Sequence, residues 1–171
     1  MLLLFILTAD SMQIRFVTTG GTIDKIYFDA LSQFEVGESQ VEHILREGLV
    51  QFDFDVVPLF KKDSLEISDV DRRKIRVYVR DDSASHYVIT HGTDSMVETA
   101  AALAGIQGKT IVLTGALTPA RFRTTDATFN VGMAVAAVQT LPTGVYIAMS
   151  GQVFRADEVR KNREQNRFES T

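Results

Sequence analysis

Two apolar runs, Ile14-Arg15-Phe16-Val17 and Tyr87-Val88-Ile89, each give way directly to a loop that joins glycine to threonine. The loops are Thr18-Thr19-Gly20-Gly21-Thr22-Ile23-Asp24 and Thr90-His91-Gly92-Thr93-Asp94-Ser95. A short apolar run bounded by a turn signal reads as a buried strand. In open α/β sheets ligands bind outside the carboxyl ends of the strands, so both loops are expected to open on one crevice. Glycine lets backbone come close to a ligand, and threonine offers a hydroxyl that a base can activate. The pairing points to hydroxyl nucleophiles, a chemistry that requires neither metal nor cofactor.

The rest of the chain alternates between strand and helix patterns. Residues 13–18 read as the first strand, followed by a long polar loop that contains Lys25, Tyr27, Phe28 and Gly37. Ser39-Gln40-Val41-Glu42 has the capping-box pattern, after which Val41, Ile44, Leu45 and Leu49 recur at helical spacing. Residues 54–60 read as a second strand, and Pro58 points to a sheet edge or a strand end. A helix capped by Ser68 follows, with Val70, Ile75 and Val79 on its inner face. Strands are expected at 87–90, 110–114 and 145–149. Ser95-Met96-Val97-Glu98, a second capping box, opens an alanine-rich helix that Gly105 ends, and residues 129–138 form another. The basic tail at 155–167 reads as a surface helix or a loosely ordered arm. This alternation predicts an α/β fold: a doubly wound, mainly parallel sheet with flanking helices. Residues 13–171 are read as one domain.

Composition narrows the function classes. A length of 171 residues suits one domain with a real core, and a net charge of −4 lacks the basic excess of a nucleic-acid binder. The absence of cysteine excludes disulfides, iron–sulfur clusters and thiolate catalysis, and the three histidines (His43, His86, His91) form no metal-ligand spacing. A cytoplasmic location is the simplest expectation. The apolar start of the chain has no basic residue before Arg15 and is far shorter than the roughly 20 residues of a membrane span. Met12 stands where a natural start would fall, so residues 1–12 are read as an extra segment, from an over-extended start or a short addition, with a truncated signal sequence as the alternative. No membrane partner is expected.

Other readings of the two loops are weaker. Gly20 and Gly21 are adjacent, which breaks the G-x-G-x-x-G spacing of a dinucleotide site, and no G-x-S-x-G nucleophile elbow is present. Residues 91–95 also admit an architectural reading, with Gly92 making a turn, Ser95 capping a helix and Asp94 favouring its positive end. A second threonine loop, and Ser64 in a third strand-end loop, tip the balance toward a site. By composition Lys161 is only a solvated charge.

Three motifs, Thr19-Gly20-Gly21-Thr22-Ile23, Thr90-His91-Gly92-Thr93-Asp94-Ser95-Met96-x-Glu98-Thr99 and Thr114-Gly115-Ala116-Leu117-x-Pro119, together resemble the bacterial-type L-asparaginase/glutaminase family in order and spacing. The resemblance runs from about residue 13 to the end. It covers the amino-terminal domain of typical members, without their smaller carboxyl-terminal domain, and is nearest to short single-domain forms that share the stretch 20–31. It implies an amidohydrolase that converts L-asparagine to L-aspartate and ammonia, with minor glutaminase activity.

The resemblance also assigns residues. Thr22 matches the first catalytic threonine, the usual candidate for the nucleophile, and Thr93 the second. Asp94 and Lys161 match the partners of Thr93 in a Thr–Lys–Asp arrangement. Ser64 aligns with a serine that binds the substrate α-carboxylate, and Gly21 and Gly92 let backbone approach the substrate. Tyr27 fits the family's tyrosine in the short members; position 34, which fits it in the longer ones, is Phe here. In this scheme Tyr27 relays the Thr22 proton, Lys161 activates Thr93, Asp94 holds the α-ammonium and backbone N–H groups near Thr93 face the oxyanion. Which threonine attacks first, or whether water does, stays open. Longer members take an acidic residue from a neighbouring subunit's second domain. A homo-oligomer, dimer or tetramer, is therefore expected to complete or shield the site. Two alternatives remain: a non-catalytic Asp/Asn-binding module, and an amidotransferase subunit that works with a transfer RNA. Both threonines, Asp94 and Lys161 together speak against the first, and the acidic charge against the second.

Overall fold

The computed structural model describes residues 12–28 and 33–171. The extra segment expected at 1–12 lies outside them except for Met12. The chain runs β1 (Gln13–Gly20), β2 (Lys25–Phe28), β3 (Gln33–Val36), α1 (Val41–Glu47), β4 (Asp53–Lys62), α2 (Asp69–Asp81), β5 (His86–Thr90), α3 (Met96–Ala102), β6 (Thr110–Thr114), α4 (Ala127–Thr140) and β7 (Gly144–Met149). Three short strands follow: β8 (Gln152–Arg155), β9 (Val159–Asn162) and β10 (Arg167–Ser170).

The main sheet has the order β4-β1-β5-β6-β7-β8. All pairings are parallel except β7–β8. Period-2 alternation in the central strands feeds two cores. Val88, Val112 and Ala148 point to one face, where α1 and α4 supply Ile44, Leu45, Val131 and Val138. Tyr87, Ile89, Ile111, Leu113 and Ile147 point to the other, where α2 and α3 supply Ile75, Val79, Met96 and Ala100. The expected doubly wound, mainly parallel sheet is therefore present. Pro58 lies on β4, which is an edge strand, as its missing N–H requires.

The winding fixes where a ligand can sit. From β1 the chain moves outward to β4 and then crosses back to β5 on the other side of β1. The strand order reverses between β1 and β5, the topological switch point at which such sheets open a crevice at the carboxyl ends of their strands.

Five local expectations fail, one of them at Leu49, which lies beyond α1 and is exposed. The polar loop after the first strand is a β2–β3 hairpin, with Tyr27 opposite Phe34. The tail is neither helix nor loose arm: β8 joins the main sheet and β9–β10 is a second hairpin, pinned by buried Val159 and Phe168. Val70 is exposed, because Ile75 and Val79 alone carry the inner face of α2. Neither proposed capping box closes at residue 39 or 95. Helix α1 has Gln40 at its N-cap with no side-chain cap, and the Ser95 hydroxyl is used elsewhere. The Ser68 cap does form, with Asp71 as its reciprocal partner.

Candidate active site

Strands β4, β1 and β5 are neighbours, and each ends in a single turn of 3-10 helix. These turns are Thr22–Asp24 after β1, Ser64–Glu66 after β4 and Thr93–Ser95 after β5. Three expected site residues, Thr22, Ser64 and Thr93, thus each open one of three adjacent turns. The turns interlock through backbone that has no side chain in the way. Gly21 N donates to Lys62 O at 2.9 Å. A methyl group on Gly21 would lie 2.4 Å from Gly92 N, and one on Gly92 would lie 2.5 Å from Ser64 Cβ. Thr19 Oγ1 donates to Thr90 O at 2.9 Å, and Ser95 Oγ donates to Ser64 O. That last contact takes the hydroxyl away from the cap that its sequence position suggests.

Lys161 arrives from β9, far along the chain. Its Nζ donates to Thr93 Oγ1 and to Asp94 Oδ1, both at 2.7 Å. The lysine side chain is 7% exposed, whereas that of Asp94 is 42% exposed. Asp94 Oδ1 is engaged by the ammonium while Oδ2 is left toward solvent. Arg163 Nη2 donates to Asp94 O at 3.2 Å and fastens the β9–β10 hairpin to the same turn. An open cleft of about 620 Å³ reaches Asp94 and Lys161 from the hairpin side, lined also by Glu98, Arg160 and Arg163, but not by Thr22, Thr93 or Ser64.

The remaining expected residues are less tightly joined. Thr22 is half-buried, and its hydroxyl has no hydrogen-bond partner among the described residues. Tyr27 is 52% exposed and packs edge-on against Phe34, 5.5 Å between ring centres. Its hydroxyl likewise meets no partner among the described residues. Tyr27 and position 34 are directly opposed in the hairpin, so the two candidate locations for the family's tyrosine occupy one patch of surface.

Sequence reasoning passed over several groups that hold the turns. His91 is fully buried; its Nδ1 faces Gly92 O at 2.7 Å and its Nε2 faces Thr99 Oγ1 at 2.9 Å. A carbonyl can only accept, so Nδ1 carries the proton and Thr99 donates to Nε2. Burial, the larger cause, pushes the imidazole down to about 4. The folded value is below the ordinary one near 6.5. The stability drawn from a neutral ring is therefore complete above pH 6.5 and drains away as pH falls from 6.5 toward 4. Asp24 acts in the opposite sense. Its buried carboxyl, which accepts from Gln40 N at 2.9 Å at the start of α1, is pushed up to about 6 by burial. Its penalty is relieved as pH falls through 6 toward its ordinary 3.8. We expect the His91 ring resonances to hold constant from pH 8 to about 5 in an NMR titration. A midpoint above 6 would overturn the buried neutral assignment.

The third motif buttresses the second. His91 N donates to Thr114 O at 2.9 Å, and a methyl on Gly115 would lie 2.3 Å from His91 O. The Asp126 carboxylate receives the N–H groups of Leu117 and Thr118, and Asn130 Nδ2 donates to Gly115 O. Among the described residues no group of three or more His, Asp or Glu is placed to hold a metal ion, and no helix is long and apolar enough to cross a membrane.

Comparison with known proteins bears on the fold and the family. A 94-residue stretch is 35% identical to the glutaminase-asparaginase of Acinetobacter glutaminasificans, covering 52% of this chain and 28% of that protein. The thermostable L-asparaginase from Thermococcus kodakarensis superposes with a TM-score of 0.79 at 26% identity, over 93% of this chain and 51% of its own. A probable cytoplasmic L-asparaginase from Campylobacter jejuni gives 0.78 at 26%, over 92% and 52%. L-asparaginase I from Vibrio cholerae, at 22% identity and a TM-score of 0.80, covers 94% of this chain and 51% of its own and shares the fold. The chain thus spans about half the length of these solved structures. The model of the amino-terminal asparaginase domain (Asparaginase, N-terminal) matches residues 13–170, and the chain belongs to that family.

Proposed function

We propose that this chain is an amidohydrolase that converts L-asparagine to L-aspartate and ammonia through a threonine nucleophile, with minor activity on glutamine, and that residues 13–171 form an asparaginase-like catalytic domain. The observation that carries the reading is the Lys161 ammonium nitrogen held 2.7 Å from both Thr93 Oγ1 and Asp94 Oδ1. A buried lysine on a hydroxyl is what proton transfer needs, whereas a module that only binds an amino acid has no use for it.

In the proposed reaction Thr22 attacks the side-chain carbonyl carbon and passes its proton toward Tyr27. The backbone N–H groups of the Thr93 turn face the oxyanion. The C–N bond breaks, ammonia leaves with the transferred proton, and an acyl-threonine remains. Water then adds to that ester and gives its proton to the Thr93–Lys161 relay, the bond between the acyl carbon and Thr22 Oγ breaks, Thr22 Oγ takes a proton back, and aspartate is released. Ser64 and the backbone at Gly21 and Gly92 bind the α-carboxylate end, and Asp94 Oδ2 pairs with the α-ammonium. Ammonia release from purified protein, with asparagine and glutamine in parallel, tests the reading; no release from either overturns it.

We further propose a cytoplasmic homo-oligomer, dimer or tetramer. A site whose Asp94 and Tyr27 are this exposed gains from a neighbouring copy that shields it. Sedimentation is expected to give a dimer or tetramer whose dilution to monomer lowers activity. A monomer with full activity would refute it.

A further inference from the structure

Lys25 opens β2 immediately after the Thr22 turn, and its Nζ lies 2.7 Å from Asp63 Oδ2. Both side chains are largely buried, at 27% and 32% exposed. Asp63 is the N-cap of the Ser64 turn: its Oδ1 accepts from Leu65 N at 3.2 Å, and its own N–H donates to Glu66 Oε2 at 3.1 Å. One carboxylate therefore holds the shape of the Ser64 turn with one oxygen and receives the hairpin's ammonium with the other. The hydrogen bond from Lys25 is also the first cause that holds the Asp63 carboxyl below its ordinary range. Lys25 and Tyr27 are two apart on a strand and share a face, so the side of β2 that reaches the Ser64 turn is the side that carries Tyr27.

We propose that the Lys25–Asp63 pair is a positioning clamp that fixes the distance between the Ser64 turn and the Thr22–Tyr27 segment, and thereby selects asparagine over glutamine by chain length. The inference rests on the function proposed above, in which Ser64 takes the α-carboxylate and Thr22 and Tyr27 meet the amide. A rigid gap between those two ends accepts one length of side chain. One added methylene is discriminated by about 10- to 200-fold in sites of this kind. Neither Lys25 nor Asp63 touches the reacting atoms in this scheme.

The test uses Lys25→Met, Asp63→Asn, the double variant and Lys25→Arg. Asp63→Asn keeps the acceptor for Leu65 N and removes the charge. With either neutral variant, kcat/KM for asparagine is expected to fall about 5-fold and that for glutamine less, so that the preference narrows. The double variant should be no worse than the single ones, and Lys25→Arg should restore the preference. Amide hydrogen exchange without substrate is the second arm. Lys25→Met should speed exchange at Leu65 and along β2 together. Unchanged exchange overturns the clamp, and faster exchange with an unchanged preference overturns its role in selectivity. If the wild-type protein releases no ammonia from either amide, the proposed function fails and the selectivity claim with it, while exchange alone decides whether Lys25 holds the turn.

Discussion

Lys161→Met is expected to cut asparagine turnover by about 10³-fold while leaving the fold intact. The lysine stem is packed between the β9–β10 hairpin and the Thr93 turn, and methionine replaces that stem with a side chain of similar length and volume. What disappears is the nitrogen that meets Thr93 Oγ1 and Asp94 Oδ1. Asp94 is partly exposed, so water takes over the freed oxygen and the loss of stability stays near 1 kcal/mol. Thr93→Val, which keeps the β-branched shape and removes one hydrogen bond, should lower turnover similarly at about 1 kcal/mol of stability. Thr22→Ala should abolish ammonia release outright. Steady-state kinetics beside circular dichroism checks all three. Retention of a tenth or more of wild-type turnover by any variant would show that its assigned group is not in the reaction.

The two loops were legible because each sits at a point where backbone rules leave few choices. An apolar run ending in glycine next to threonine marks a buried strand with a close approach at its end, and β1 and β5 do flank the switch of the sheet. Lys161 was not legible by such rules. The segment around it, Arg160-Lys161-Asn162-Arg163-Glu164-Gln165-Asn166-Arg167, has no apolar alternation, and the hairpin is held by two residues at its ends, Val159 and Phe168. Only the resemblance to a family singled out the lysine. The structure supplies the reason: a strand outside the main sheet carries it to a turn 67 positions earlier in the chain.

Ser95 and Ser39 show a different limit. Both stand where a helix cap is expected, and local chemistry alone favours a cap at each. Ser95 instead donates to Ser64 O, and the start of α1 is met by the carboxylate of Asp24 from the first loop. A long-range partner displaced the local one at Ser95, whereas Ser39 Oγ still accepts from Val41 N at 3.3 Å beside the Asp24 contact to Gln40 N. The β2–β3 hairpin did leave a signal, since Lys25-Ile26-Tyr27-Phe28 and Gln33-Phe34-Glu35-Val36 alternate weakly. The polar residues between its apolar positions made a loop look equally good. Selectivity, if the Lys25–Asp63 clamp holds, lies in that hairpin rather than in the threonine turns that the motifs advertise.

Gly21→Ala is expected to be severely damaging. Its φ of 89° with ψ of −172° falls in a region that essentially only glycine occupies, at a cost of about 1–3 kcal/mol for any other residue. The added carbon would also meet the Gly92 backbone at 2.4 Å, and forcing two backbone segments apart costs roughly another 1–3 kcal/mol. Together these give about 2–6 kcal/mol, or a fall in melting temperature of about 4–24 °C for a chain of this size. Activity should vanish, because the displaced segments are the ones that lead into Thr22 and Thr93. Gly92→Ala separates the two causes. Its φ of −69° suits alanine, so the backbone strain is absent, and the new methyl meets Ser64 Cβ at 2.5 Å and Ser64 N at 3.1 Å. That variant should lose less thermal stability than Gly21→Ala and show a raised KM, through a displaced Ser64. If the two alanine variants melted at the same temperature, backbone strain at position 21 would not be what ties this glycine to the crossing of the turns.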